Sequence, residues 1–472
     1  MPSISDLPNE VLQLIFETIL SKNEPWYPQT SENKWAKPIG ELRLVGRRWS
    51  DLLTDRLLYQ TLAIDNGTRA KQFINHRKAS LRLSSSNVRP KCQVLHVGEL
   101  WTWGARPVEK KSRVSKDNSV VTPPFLEGLI ELFHDTIVDL ELEFINYFTL
   151  PTSSVRAIGR ITNLRTLRLC YDKRFASGNV PVGDRRISFH HDIDLLCSLL
   201  SGAQGLKCLD MIKFDPPYLE DISEHDLARV QLPNITHLVA GSATSTDVAV
   251  SLATALKPTL TMLSYSSFDI NGEHFRPVLE ILEDTLQGLH ITHPILLKPV
   301  SHLKFSSLRL LQMSSWKDCR SYCSDLDMLS HAPIEILALS GYIFASHKVP
   351  KSPFFPFERL PALKRLVFYG RDSRFTAPEC YLKACQEHQV ECLYFSGSSL
   401  PDLMVSPQYP CPPHLYKFQK CTAHLKFDSD IITFFFSDGR SSVFQPGHRN
   451  ETRKDEVDRA EEAGNARNII AR

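Results

Sequence analysis

The chain has 472 residues, 42% of them hydrophobic, with 55 Lys and Arg set against 53 Asp and Glu. So even a balance, without a basic stripe of interleaved aromatics, argues against a polyanion or nucleic-acid binder. No apolar run approaches the ~18 uninterrupted residues of a membrane helix, so no membrane partner is expected.

The first segment, LPNEVLQLIFETIL, has Asp6 as a helix cap and Pro8 in the first turn, where a missing N–H costs nothing. Val11, Leu12, Ile15, Phe16, Ile19 and Leu20 then form a stripe broader than a surface helix needs to face a single core. Asp6, Glu10 and Glu17 interrupt that helix and no basic start precedes it, so a secretory signal is not expected. Residues 21–40 contain Pro25, Trp26, Pro28, Trp35 and Pro38 and predict a loop. Beyond it Leu42, Val45, Trp49, Leu52 and Leu53 make a second apolar face, followed by Leu57, Leu58 and Tyr59. Together the two faces carry too much apolar surface for a free-standing mini-domain. A partner helix or the body of the protein must cover it.

Leu7-Pro8, Glu10-Val11-Leu12, Ile15-Phe16, Leu44-Val45, Arg47-Arg48-Trp49 and Leu58-Tyr59 resemble, in order and spacing, the F-box. That helical motif attaches substrate receptors to the Skp-family adaptor of cullin-RING ubiquitin ligases. Gly46 stands where the family often has Cys, Tyr59 where it often has Trp, and the 21–40 link is longer than usual. The resemblance covers residues 1–60 and implies that they bind the adaptor and, through it, a cullin. Leu7, Pro8, Val11, Leu12, Ile15, Val45 and Trp49 would form the docking face or shape it.

From Cys92 onward one phrase, apolar-x-x-Leu-x-apolar, keeps returning. It reads CQVLHV at Cys92, IVDLEL at Ile137, LRTLRL at Leu164, LKCLDM at Leu206, ITHLVA at Ile235 and LTMLSY at Leu260. LQGLHI at Leu286, LRLLQM at Leu308, IEILAL at Ile334, LKRLVF at Leu363 and VECLYF at Val390 complete the series. Eight of the ten start-to-start intervals are 22–29 residues, the period of one short strand plus a return segment. The other two, 45 and 42, have room for a degenerate unit or an insertion. Apolar runs with helical spacing lie between strands, as in FLEGLIELF, HDIDLLCSLL, DVAVSLATAL, HFRPVLEILEDTL and PECYLKACQEH. The expected fold is α/β, a strand–helix repeat solenoid over residues 61–400 behind the N-terminal helical domain.

The strands and period resemble leucine-rich repeats of the irregular kind that often follows an F-box. The Asn or Cys that such repeats carry after the last strand leucine is mostly missing: 172 is Asp, 214 is Phe and 316 is Trp. Residues 101–124 and 171–190 are polar and rich in turn formers and predict insertion loops. A capping segment is expected over 401–446, where Asp438-Gly439 between apolar stretches signals a hairpin. Residues 447–472 form a charged tail.

Motifs for phosphate, dinucleotide, zinc-protease or serine-hydrolase chemistry are absent from the sequence, and no cofactor is expected. Eleven scattered cysteines suit buried free thiols in a reducing compartment; Cys380, Cys385, His388 and Cys392 lack metal-knuckle spacing. His190-His191-Asp192 fits a helix start. With the first apolar residue of each phrase counted as one, positions three, five, seven and eight are expected to face out of the core. They select Thr166, Arg168 and Tyr171; Asp210 and Lys213; His290 and His293; Arg365, Val367 and Tyr369; and Tyr394, with Arg371 just beyond. Aromatics and arginines on neighbouring strands suit a protein-binding hot spot. The two resemblances together imply a non-catalytic substrate receptor of a Skp–cullin–F-box ligase, cytoplasmic or nuclear, that binds a target protein through the repeats. A repeat scaffold without ligase recruitment is the alternative.

Overall fold

At every junction but the last, one shared carbonyl marks where the next strand begins. There the C=O of position two accepts two N–H groups, those of positions two and three in the next phrase. Gln93 O takes Val138 and Asp139, Val138 O takes Arg165 and Thr166, and Arg165 O takes Lys207 and Cys208, at 2.8–3.0 Å. The pattern continues through Lys207, Thr236, Thr261, Gln287, Arg309 and Glu335. It also begins one strand earlier than expected, because Gln60 O accepts from Gln93 and Val94. YQTLAI at Tyr59 is thus the first phrase, with an aromatic at position one. The Tyr59 ring lies 5.8 Å from that of Phe73, and the Arg77 guanidinium sits 4.3 Å from its centroid. The boundary expected at residue 60 therefore runs through the first unit.

This is a computed structural model, and it describes residues 8, 11–12, 59–83, 91–102, 120–172, 190–216, 224–267, 272–314, 330–340, 357–369, 377–395, 400–405, 427–428, 431–435 and 441–444. The first half runs β1 (Thr61–Ile64), α1 (Gly67–Leu83), β2 (Val94–Leu100), α2 (Pro123–Phe133), β3 (Asp139–Phe144), α3 (Thr152–Gly159), β4 (Thr166–Tyr171), α4 (His190–Gly202) and β5 (Cys208–Lys213). Then come α5 (Glu224–Ala228), β6 (His237–Gly241), α6 (Thr246–Leu256), β7 (Met262–Ser266), α7 (Arg276–Leu282) and β8 (Gly288–Ile291). A 3-10 turn at Pro294–Val300 leads to β9 (Leu310–Met313) and β10 (Ile336–Ser340). β11 (Arg365–Tyr369), α8 (Glu379–Glu387), β12 (Glu391–Phe395) and α9 (Leu400–Val405) end the series.

The twelve strands form one parallel sheet in sequence order, β1 to β12. Alternating with helices, they make a solenoid-like α/β fold. The five helical runs read from the sequence all contain helix, although HFRPVLEILEDTL is split into a 3-10 turn and α7. Within the two long intervals β2 pairs directly with β3, and β4 with β5. No described strand intervenes, so the extra length is insertion rather than a hidden unit.

Side chains alternate along each strand. Positions four and six point to the helices and make one continuous core, including Leu95, Leu140, Leu167, Leu209, Leu263, Leu289 and Leu337, all fully buried. Each such leucine contributes about 1.5–3 kcal/mol relative to exposure. Phe144, Phe148 and Phe214 fill the space beyond the strand ends in edge-to-face contacts at 5.1 and 4.7 Å. Polar side chains also tie neighbouring units together near the strand ends. Asn146 Oδ1 accepts from the Thr102 N–H, Thr244 Oγ1 donates to Met211 O, and Thr292 Oγ1 both accepts from Ser267 N–H and donates to its carbonyl.

The chain divides into two units, Met1–Met404 and Val405–Arg472. In the second, β13 (Phe427–Asp428), β14 (Ile431–Phe435) and β15 (Ser441–Phe444) form an antiparallel sheet. β14 and β15 pair on either side of Asp438-Gly439, as a hairpin there requires. Residues 447–472 lie outside the described residues. Among those that are described, no helix is long and apolar enough to cross a membrane.

Close stacking of the units leaves no room for a side chain at Gly241. A Cβ on Gly241 in β6 would lie 2.6 Å from Ile212 O and 3.1 Å from Ser266 O, both backbone atoms of flanking strands. Gly241→Val should therefore destabilise unit 1 by about 1–3 kcal/mol, read as a lower urea midpoint at an unchanged slope.

Candidate functional site

The face opposite the helices, here the front face, is built from positions three, five and seven. Parallel register lines up position five of neighbouring strands. His96 pairs with Glu141, Glu141 with Arg168, and Arg168 with Asp210, a row of alternating sign across β2–β5. Neighbouring strands are ~4.8 Å apart, within reach of ion pairing. His96 Nδ1 is 3.0 Å from Glu141 Oε2. Arg168 reaches Asp139 at 2.8 Å, and Glu141 and Asp210 at 3.7 Å each. One guanidinium on β4 thus serves three carboxylates on the two flanking strands, β3 and β5. An irregularity in β5 sets Lys213 opposite Cys170 and so brings its charge to the same face.

Burial and pairing compete in this cluster. Burial raises the Asp139 carboxyl to about 6 despite the Arg168 charge, and Asp139 Oδ1 is buried without a donor. Asp210 is also raised, first by burial, against the Ile212 N–H bond and Arg168. In Glu141 burial is outweighed by the hydrogen bond and charge of His96, and its pKa falls. In His96 burial is likewise outweighed, by Glu141 and then by Glu143 and Asp65, and its pKa rises. Arg168 is held above its usual value by Asp139, Asp210 and Glu141, against burial.

Further along the sheet the charges give way to neutral polar chains. His237 Nε2 and Ser264 Oγ share a hydrogen bond of 2.9 Å, and Cys208 Sγ lies 3.5 Å from His237 Nδ1. Burial lowers His237 to about 4 and raises the Cys208 thiol to about 12. Burial also lowers His290 to about 4, so its ring is neutral near pH 7. The Tyr369 hydroxyl donates to Met313 O at 2.9 Å. Ser314 Oγ must then donate to Tyr369, 3.0 Å away, and accept the Nε2–H of His290 at 2.6 Å. That chain fixes the His290 tautomer.

At β9–β11 the front face is largely apolar, with Gln312 and Ser340 also buried on it. Leu310, Ile336, Ala338, Val367 and Tyr369 form a second cluster, and Leu400 and Leu403 of α9 close it, with Met262, Leu393 and Met404 packed around. Leu400 is 1% and Leu403 3% exposed. The segment after the last strand therefore folds back across three strands.

Arg168, Thr166 and Asp210 lie on the front face as expected. So do His290, Arg365, Val367 and Tyr369, although Tyr369 and Val367 are buried beneath α9. Arg365 pairs with Glu391 at 3.0 Å. Tyr171, expected to face out, instead points to the helix side with positions four and six; it is buried, and its hydroxyl donates to Asn146 O at 2.6 Å. Position eight shares the parity of the core positions, which is the physical reason. His293 caps the 3-10 turn, its Nδ1 accepting from Ile295 N–H. Tyr394 is also displaced. β12 pairs with β11 one residue out of step, Phe368 opposite Tyr394, so Leu393 faces the front and Tyr394 the helix side. Tyr394 is 49% exposed, stacks 6.0 Å from Phe368 and accepts from Ala377 N–H. Arg371 lies outside the described residues.

Of the residues expected to dock an adaptor, Leu7, Ile15, Val45 and Trp49 lie outside the described residues, as does the 21–40 link. Pro8 O accepts the N–H groups of Val11 and Leu12 at 3.1 Å, the opening turn of a helix. Leu12 is fully buried, whereas Val11 is 38% exposed. His96, Asp139, Glu141, Glu143, His237, Ser264 and Ser314 were not singled out by the sequence. The position rule selects them once applied to every strand, but only the register brings opposite charges side by side. Among the described residues no group of three or more His, Cys, Asp or Glu is placed to hold a metal ion. No protein-family model matches the chain, and no curated protein matches its sequence.

Arg168→Met should strand three carboxylates and destabilise unit 1 by about 1–3 kcal/mol. That is below the range for a fully buried pair, since 36% of the Arg168 side chain is exposed. Asp139 sets a pH dependence. Its folded pKa of about 6 exceeds the unfolded value of 3.8, so the folded state binds the proton more tightly. Its contribution to stability therefore grows as pH falls through 6 and is complete below 3.8. Glu141, lowered on folding, acts in the opposite sense, its contribution being lost as pH falls through its folded value. Asp139→Asn should raise stability at pH 7 and shrink the stability gained on acidification to pH 5, measured by urea midpoints at each pH.

Proposed function

We propose that this chain is the substrate-recognition subunit of a Skp–cullin–F-box ubiquitin ligase. The observation that carries the proposal is the ordered set Leu7-Pro8, Glu10-Val11-Leu12, Ile15-Phe16, Leu44-Val45, Arg47-Arg48-Trp49 and Leu58-Tyr59, which resembles an F-box in sequence and spacing. The half-exposed Val11 beside the buried Leu12 supports it, since a docking helix keeps apolar side chains available on one side while anchoring the other. In this proposal residues 1–60 bind the Skp-family adaptor and through it a cullin, and the repeats are irregular leucine-rich repeats whose front face holds a target protein. Such a protein works in the cytoplasm or nucleus. It forms no covalent intermediate: holding a target lysine close to the ligase thioester raises effective concentration.

The full chain should capture a purified Skp-family adaptor in a pull-down. Val11→Asp, at a position that tolerates a polar side chain in the free protein, should reduce capture at least tenfold without moving the thermal transition. Leu7→Asp and Val45→Asp should reduce it likewise. Capture that survives all three substitutions, or never occurs, would leave a repeat scaffold that recruits no ligase.

A further inference from the structure

We propose that the front face of β9–β11 is a binding site for a short target helix presenting leucine-like side chains three residues apart, and that α9 occupies this site until such a helix displaces it. The inference deepens the proposed function, on which it rests only in calling the incoming helix a target.

The argument starts from a departure within the repeat. β3 and β4 alternate half-buried front positions with buried back ones, as one-sided strands do. β9 and β10 are buried at every position, and β11 at all but Arg365. A parallel strand apolar on both faces belongs where both faces are covered. Here the helices cover the back, and α9 covers the front. Its Leu400 and Leu403, three apart on one helical turn, point the same way into Leu310, Ile336, Ala338, Val367 and Tyr369. Gly288 in β8 lies beside Leu400: a Cβ there would be 3.6 Å from the Leu400 side chain, an ordinary contact.

The occupant is poorly suited to permanence. The described part of α9 has six residues, too few to sustain a helix by its own hydrogen bonds. Two leucines and the flanking Met404 hold it. The surface beneath it, by contrast, is anchored by the parallel ladder and by the Tyr369 bond to Met313 O. A preformed apolar groove under a marginal local cover is the arrangement in which a longer amphipathic helix competes by mass action. The incoming helix needs the same two apolar side chains, three residues apart.

Two experiments on the full chain test this. In hydrogen exchange on the unmodified protein, the amides of Leu403–Val405 should exchange at least tenfold faster than those of β10. Exchange in step with β10 would make α9 a fixed part of the core and overturn the proposal. The second uses a fluorescein-labelled peptide of residues 396–407 of this chain as the probe. It should bind the Leu400→Asp, Leu403→Asp double variant at least tenfold more tightly than the unmodified chain, whose tethered copy competes. Adding Ala338→Arg should remove that binding. Equal binding to both chains, no binding to a double variant that keeps its thermal transition, or binding indifferent to Ala338→Arg would each reject the site. Adaptor capture in the double variant reports on the ligase proposal alone, so the two can fail separately.

Discussion

The carbonyl at position two, shared by two N–H groups of the following strand, sets where each strand begins relative to the last. It recurs at ten successive junctions, from Gln60 to Glu335. A parallel ladder could slide by a residue at little cost in hydrogen bonds, but each slide would turn a row of leucines from the core to the opposite face. The shared acceptor and the buried leucines therefore enforce the same register. At the last junction the pattern weakens: Lys364 O accepts only the Glu391 N–H, and β12 pairs one residue out of step. The consequence is visible at once in Tyr394 and Leu393, which exchange faces.

Once register is fixed, side chains of like position form rows across the sheet, and the character of the front face is decided row by row. On β2–β5 the row is ionic, and neither burial nor pairing wins outright. Asp139 is held near 6 because burial outweighs the Arg168 charge, while Glu141, with both His96 and Arg168 beside it, stays below its ordinary value. On β6–β9 the row is neutral. Those histidines and the Cys208 thiol sit so far from neutral pH that they neither gain nor lose protons there; they are hydrogen-bonding struts. On β9–β11 the face is largely apolar, with Gln312 buried in it, and the chain covers it itself.

This gradient is what makes the face a plausible receptor surface in the proposed ligase subunit. Alternating charge supplies direction and selectivity more than affinity, because half-exposed ion pairs exchange one set of partners for another. Desolvated apolar area supplies the affinity. A target that engages both ends would bring a complementary charge pattern to β2–β5 and an apolar helix to β9–β11.

Much of this was legible before any coordinates. Period, strand phrase and helical runs gave the α/β repeat, because a repeated apolar pattern can bury itself only by stacking on its own copies. The hairpin around Asp438-Gly439 and the insertions after β2 and β4 were readable for equally local reasons. Tyr59 reads locally as the end of the N-terminal motif, and only the bonds to Gln60 O show that it also opens the first phrase. Tyr171 was misplaced because parity was not carried one residue past the strand core. What only tertiary structure decided is which rows meet and what lies over them. The pairing of His96 with Glu141 joins residues 45 positions apart, and the closure of Ile336 and Val367 by Leu400 depends on a chain reversal. Local pattern specifies the faces of one strand, whereas contact between faces depends on register and on the path of the chain between units, which no short stretch of sequence contains.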